Sequence, residues 1–252
     1  MKKAERMRGI MDVLRLEGYA PVELLTSKLG VSAATVRRDL KEFAEQGLVR
    51  RTHGGAAFSG QGYEVPVRYR RGERAAEKRR IGETAARLLT DGLVVGVTGG
   101  TTTSEVARHI PWGRNLTVLT NSLNIATELA VRPHVTLVDT GGVARSASFE
   151  LTGPIAEATV ARYHLDLVFL GVDGIDVATG CTTHDDREAS INRAMVERAE
   201  RTVVVADRSK IGARAFARIC EIREVSLLIT DLQADGDAFA ALKEAGLSIE
   251  LV

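Results

Sequence analysis

From Gly92 to the C-terminal valine the chain repeats one pattern: a short apolar run, a turn of glycine or small polar residues, then helical spacing. The runs cover 92–97, 116–121, 135–138, 166–171, 202–206 and 227–231, and a final helix leads into the tail 247–252. Runs this short and this continuously apolar are strands buried on both faces. Alternation with helices then requires a largely parallel sheet covered by helices, an α/β fold. In such sheets ligands bind beyond the carboxyl ends of the strands. The polar clusters of this chain stand at those ends.

The first cluster is Gly99-Gly100-Thr101-Thr102-Thr103, after a strand and before a helix. Its backbone N–H groups, hydroxyls and positive helix end suit an anion. It has no Gly-Lys-Ser or Gly-Lys-Thr of a nucleotide loop and no dinucleotide Gly-x-Gly-x-x-Gly. Thr120-Asn121-Ser122 repeats the arrangement at the next strand end, with a neutral rim suited to sugar hydroxyls. Asp173 is placed to accept from a hydroxyl, Lys210 to neutralise phosphate, and Glu188 is a third charged candidate. For each of these the alternative is a structural one: a plain glycine turn, a salt bridge or a helix cap.

The first 58 residues follow a different plan. Met7, Ile10, Met11 and Leu14 fall at helical spacing, and Gly18 breaks the pattern. Pro21 opens a second helix with Val22, Leu25 and Leu29 inward, and Gly30 ends it. Ser32 caps a third helix whose buried stripe is Val36, Leu40 and Phe43. Two short helices joined by a glycine turn make a helix-turn-helix. Ser32, Thr35 and Arg37 or Arg38 occupy the turn that meets base edges in the major groove. One arginine reads guanine and the other holds phosphate. The segment 48–56 then reads as a strand, a glycine turn and a strand, the wing of a winged helix, with Arg51 and His53 placed on backbone or minor groove.

Charge follows this division. The whole chain carries 34 basic and 33 acidic side chains, yet residues 1–58 hold 11 basic against 7 acidic, and 59–80 hold 7 against 3. A basic head on an acidic body suggests a polyanion partner for the head. The domains expected are a winged helix-turn-helix over 1–58, a linker over 59–74 and a sensing domain over 75–252, opened by a helix with Ile81, Ala85, Leu88 and Leu89 on one face. Within the linker, 59–62 is polar and glycine-rich, and Arg68, Arg70, Arg71 and Arg74 make the following stretch basic.

Ser32-x-x-Thr35-Val36-Arg37-Arg38-Asp39-Leu40, followed by Gly47-x-Val49-x-Arg51-x-His53-Gly54-Gly55-Ala56, resembles the DNA-binding signature of DeoR-type bacterial transcriptional repressors. The resemblance continues to about Asp231. It implies a sensor domain similar to sugar-phosphate isomerases and CoA-transferases. It further implies an effector phosphate on Gly100, Thr101, Thr102 and Thr103, with Thr120, Asn121 and Ser122 beside it. The glycine pair maps onto Gly141 and Gly142, the Asp-Gly turn onto Asp173 and Gly174, and the Asp-x-Ser-Lys element onto Asp207, Ser209 and Lys210. Many members carry Asp just before the Gly-Thr-Thr loop; this chain has Thr98 there.

Two functions follow. One is a non-catalytic repressor of a sugar-metabolism operon that binds double-stranded operator DNA and is relieved by a phosphorylated sugar. The other is a phosphosugar isomerase-like enzyme with a fused DNA-binding head, for which Asp173 or Glu188 would be the base. A DNA-binding head has no evident use in a metabolic enzyme, which favours the repressor. Dimeric readers mirror repeated half-sites, so a homodimer or homotetramer is expected. Cys181 and Cys220 are the two cysteines, too few for a disulfide framework or a cysteine zinc site, and the five histidines are scattered. No cofactor or metal is expected. No apolar run approaches the roughly 18 residues of a membrane span, and the charged start lacks a signal-peptide core. A cytoplasmic protein is expected.

Overall fold

The computed structural model describes residues 3–45, 47–58, 66–70, 72–231 and 236–252. The chain divides into two compact units, Met1–Arg70 and Arg71–Val252. The polar stretch 59–62 and Arg71 lie outside the described residues.

The first unit contains α1 (Lys3–Glu17), β1 (Tyr19–Pro21), α2 (Val22–Leu29), α3 (Ala33–Glu45), β2 (Val49–Arg51), β3 (Gly55–Phe58) and the short α4 (Val67–Arg70). Ile10, Met11, Leu14, Leu25, Val36, Leu40 and Phe43 meet in one core, each helix contributing the stripe that its spacing dictates. Gly30 ends α2 in the left-handed conformation, its N–H donating to the Thr26 carbonyl at 2.9 Å. The wing is a three-stranded antiparallel sheet in the order β1-β3-β2, not the two strands that the sequence suggests. Its extra strand is Tyr19-Ala20-Pro21; Pro21 pairs with Gly55 at the strand's end and also precedes the first turn of α2.

The second unit opens with α5 (Ala75–Ala86) and continues through β4 (Val94–Val97), α6 (Thr101–Arg108), β5 (Leu116–Thr120), α7 (Leu123–Leu129) and β6 (Val135–Asp139). A small pair, β7 (Val143–Ala144) and β8 (Leu151–Thr152), precedes α8 (Pro154–Val160) and β9 (Leu165–Leu170). Then follow β10 (Gly174–Asp176), β11 (Gly180–Thr183), α9 (Asp186–Glu197), β12 (Ala199–Val205), β13 (Ala217–Cys220), β14 (Leu227–Thr230), α10 (Asp237–Glu244) and β15 (Ile249–Leu251).

Seven strands form one parallel sheet in the order β15-β14-β12-β9-β4-β5-β6. Alternate residues serve opposite faces. Val95, Val97, Leu167, Phe169, Val203 and Val205 pack against the cluster that holds Ile81, Val106 and Ile125, while Val168, Leu170, Val204 and Leu228 pack with Val160, Ile191 and Met195. Both faces are therefore dry, as apolar runs without polar alternation require. The strands added after β4 run outward on one side through β5 and β6, and those after β9 run outward on the other. The order reverses between β4 and β9, and a ligand crevice in an open parallel sheet forms at that reversal.

A separate antiparallel sheet, β10-β11-β13, is not legible as strands in the sequence; its segments are only three or four residues long. It places the Cys181 and Cys220 free thiols opposite each other in the core. The hydrogen bond that the Cys181 thiol makes to Cys220, together with burial, pushes that thiol well above its ordinary pKa. No helix of the described residues is long and apolar enough to cross a membrane.

Candidate functional site

In the first unit, α3 presents its polar side to solvent. Ser32 accepts the Thr35 N–H at 3.2 Å and so caps the helix, and its hydroxyl lies 2.9 Å from the Thr35 hydroxyl. Arg37 and Arg38 are exposed and make no hydrogen bond or ion pair with a described residue. On the wing Arg50, Arg51 and His53 are likewise exposed. Guanidinium groups without protein partners are available for carboxylate, phosphate or base edges. Below this surface lies a pair the sequence did not reveal. Asp39, 1% exposed, receives both Nε and Nη2 of Arg6 from α1, at 2.5 and 3.2 Å.

In the second unit the carboxyl ends of β4 and β9 nearly touch. The Gly171 N–H donates to Thr98 Oγ1 at 2.9 Å, and a Cβ on Gly171 would fall 2.7 Å from the Gly99 carbonyl oxygen. Gly100 then turns into α6 at φ +135° and supplies no side-chain cap. The first-turn N–H groups of α6 therefore open at the reversal point with the positive end of the helix behind them. Thr103 and Ser104 turn their hydroxyls back onto the Gly100 carbonyl, at 3.1 and 2.6 Å, and so fix the loop.

Thr120, Asn121 and Ser122 are all buried. The Thr120 hydroxyl donates to the Val97 carbonyl at 2.7 Å and accepts the Ser122 N–H at 3.1 Å, which ties β5 to β4. Asn121 Oδ1 accepts the Gly99 N–H at 3.2 Å, and its Nδ2 donates to Glu150 Oε2 at 3.0 Å. Glu150 was not among the candidates from sequence.

The charged candidates form one network. Lys210 Nζ lies 3.5 Å from Asp173 Oδ1. The Thr183 hydroxyl is 3.2 Å from both Asp173 Oδ2 and Glu188 Oε2; with one proton it serves one of them at a time. Glu188 in turn pairs closely with Arg145, whose Nη2 lies 3.1 Å from Asp185. Asp185 caps α9, accepting from the N–H groups of Arg187 and Glu188. Burial alone would raise the Asp185 pKa, but its Arg187 hydrogen bond, the charges of Arg145 and Arg187, and the Glu188 N–H hold it below the ordinary carboxylate range. Arg145 is a second residue that sequence reasoning missed. Asp173 and Glu188 thus each face a cation, Lys210 and Arg145, and share the Thr183 hydroxyl between them.

The Asp-x-Ser-Lys element is divided in its contacts. Asp207 accepts from the Ser209 N–H and hydroxyl at 3.0 and 2.5 Å and faces Arg74 and Lys78 of the α5 region at 3.5 and 4.0 Å. Lys210, in the same turn, faces the strand-end network instead. Gly141 and Gly142 lie at the carboxyl end of β6, and Gly174 opens β10.

Residues 6–61 match the family model of the DeoR-like helix-turn-helix domain, and residues 73–232 that of the DeoR C-terminal sensor domain. The HTH-type transcriptional regulator GlpR of Haloferax volcanii is 38% identical over 250 residues, covering 99% of this chain and 98% of that one. The glycerol-3-phosphate regulon repressor of Escherichia coli strain K12 is 32% identical over 251 residues, covering 100% of both. Among solved structures, ribose 5-phosphate isomerase A of Methanocaldococcus jannaschii has a TM-score of 0.40 at 18% identity, covering 53% of this chain and 52% of that one.

Proposed function

The chain belongs to the DeoR family of transcriptional regulators, and from that premise we propose that it represses a sugar- or polyol-metabolism operon until a phosphorylated ligand releases it. The observation that carries this reading is the end-to-end match to a repressor of a glycerol-3-phosphate regulon, together with an uncapped helix start at the sheet's reversal point. The head takes double-stranded operator DNA through Arg37 and Arg38, with Ser32 and Thr35 setting the start of α3, and the wing adds Arg51 and His53. The domains act as a winged helix-turn-helix over 1–58, a connection over 59–74 and a sensor over 75–252. A homodimer or homotetramer meets repeated half-sites in the cytoplasm, where the DNA is. The protein binds and responds; it does not catalyse.

The effector phosphate sits on Gly100, Thr101, Thr102 and Thr103 at the start of α6, where backbone donors and the helix dipole favour an anion. Lys210 neutralises it by leaving Asp173, which frees Asp173, beside Gly174, to accept a ligand hydroxyl. Glu188 and the turn Thr120-Asn121-Ser122 line the same end of the sheet. The Lys210 N–H donates to the Asp207 carbonyl at 3.0 Å, so a shift of Lys210 reaches Asp207 and then Arg74 and Lys78. Those side chains belong to the α5 region, which follows the connection to the head. The effector thus has a covalent and hydrogen-bonded route toward the DNA-binding unit.

Thermal denaturation of the full chain tests the sensor assignment. A sugar or polyol phosphate is expected to raise Tm with dose while its unphosphorylated form does not, because a ligand that binds only the folded state stabilises it by mass action. Lys210→Ala is expected to lower the apparent affinity on the order of 10-fold or more, the loss of one charge-assisted contact. Equal shifts by phosphorylated and unphosphorylated forms would refute the phosphate site.

A further inference from the structure

The carboxylate of Glu150 has no place in the effector reading taken from the sequence, yet it lies on the floor of the same site. Glu150 is 5% exposed, and its carboxylate lies so close over Gly99 that a Cβ there would fall 2.3 Å from its Oε1. Oε2 accepts from Asn121, whose own oxygen holds the Gly99 N–H. The three residues form a fixed chain across the ends of β4 and β5, one residue before the glycine that starts α6.

The backbone delivers this carboxylate deliberately. Phe149, immediately before it, stands in the left-handed region at φ +59°, which a bulky aromatic residue adopts at a cost. The conformation is held from several sides. The Phe149 N–H donates to the Arg145 carbonyl at 2.8 Å, its carbonyl accepts the Leu123 N–H at 3.0 Å, and the Leu151 N–H donates to the Asn121 carbonyl at 2.7 Å. Glu150 also bridges Ser122. Thr98, meanwhile, contributes a neutral hydroxyl committed to the Gly171 N–H.

We propose that Glu150 is the residue that reads the hydroxyls of the effector, its carboxylate accepting from the hydroxyl next to the phosphate-bearing carbon. The inference rests on the phosphate site proposed at the start of α6. A carboxylate is an acceptor at both oxygens, so it favours a ligand that carries hydroxyl donors on the carbons beyond its phosphate, which inorganic phosphate lacks. The site therefore selects polyol or sugar phosphates over inorganic phosphate. With Thr98 neutral, the carboxylate at this strand end comes from the loop 145–150 instead of from β4.

The test measures binding of inorganic phosphate, glycerol 3-phosphate and fructose 1-phosphate by calorimetry to the full-length wild-type, Glu150→Gln and Glu150→Asp proteins. In the wild type at least one organic phosphate is expected to bind more tightly than inorganic phosphate. In Glu150→Gln that advantage is expected to fall about 10- to 100-fold, the loss of a hydrogen bond to a charged group, while inorganic phosphate affinity holds. Unchanged phosphate binding also shows that the loop is intact. Glu150→Asp keeps the charge at a shorter reach and is expected to retain part of the advantage; it carries the comparison if the Gln variant does not fold. An undiminished advantage in Glu150→Gln, with or without tighter inorganic phosphate binding, would overturn the assignment, as would a Glu150→Asp variant that keeps none of the advantage. Failure of all three compounds to bind the wild type would instead overturn the phosphate site itself, and this inference with it.

Discussion

Asp39→Ala is expected to unfold the DNA-binding unit while leaving the sensor folded. Asp39 is buried on the inner face of α3 and receives two hydrogen bonds from Arg6, so its loss leaves a largely covered guanidinium without its partner. Breaking a buried pair by removing one partner costs about 3–5 kcal/mol. A single core in a unit below about 70–80 residues supplies roughly that much in total. The cost is thus comparable with everything that holds the head together. Hydrogen exchange followed by mass spectrometry is expected to show protection of α1 and α3 falling on the order of 100- to 1000-fold. Peptides from the parallel sheet are expected to keep theirs. Replacing both partners with leucine is expected to recover much of the stability, because an apolar pair of similar volume often matches a buried ion pair. Wild-type protection in Asp39→Ala would show that the pair contributes nothing.

The second large effect is on DNA affinity alone. Arg37 and Arg38 are exposed and make no bond with a described residue, so their removal leaves no buried group unsatisfied. The double variant Arg37→Ala/Arg38→Ala is expected to keep its melting temperature and lose on the order of 100-fold or more in operator affinity, taking about 1–3 kcal/mol for a guanine-reading arginine and a further phosphate contact. The single variants separate the roles. The base-reading arginine relaxes specificity at one base pair, and the phosphate-holding one reduces the salt slope by about one. Two single variants with wild-type affinity and salt dependence would remove α3 from the DNA interface.

The parts of the fold that were legible in sequence are those governed by local pattern. Val36, Leu40 and Phe43 announce the buried stripe of α3, and the apolar runs announce the central strands, because burial on both faces leaves no polar alternation. Gly100 with three threonines marks a loop that opens a helix. Contacts between residues distant in sequence were not legible. Arg6 and Asp39 are 33 positions apart, and nothing in either neighbourhood indicates the pairing. Glu150 and Arg145 lie in a stretch without periodicity, and only the turn at Phe149 brings them to the strand ends. Tyr19-Ala20-Pro21 is three residues long and contains a proline, so it reads as the opening of α2 and not as a strand. Asp207 reads as part of a ligand element by its neighbours, whereas its oxygens face Ser209, Arg74 and Lys78. Pattern reports which face is buried; it does not report which charge meets which.

The central claim is that a phosphorylated ligand at the sheet's reversal point weakens DNA binding by the head. The most direct measurement is the affinity of the full-length protein for the DNA upstream of its own gene, with and without a saturating sugar or polyol phosphate that raises its melting temperature. The expected result is a loss of affinity of about 5- to 150-fold, the range of ordinary allosteric coupling of about 1–3 kcal/mol. By linkage, the same DNA should weaken binding of that phosphate by the same factor. Operator affinity unchanged by a phosphate that demonstrably occupies the sensor would contradict the claim.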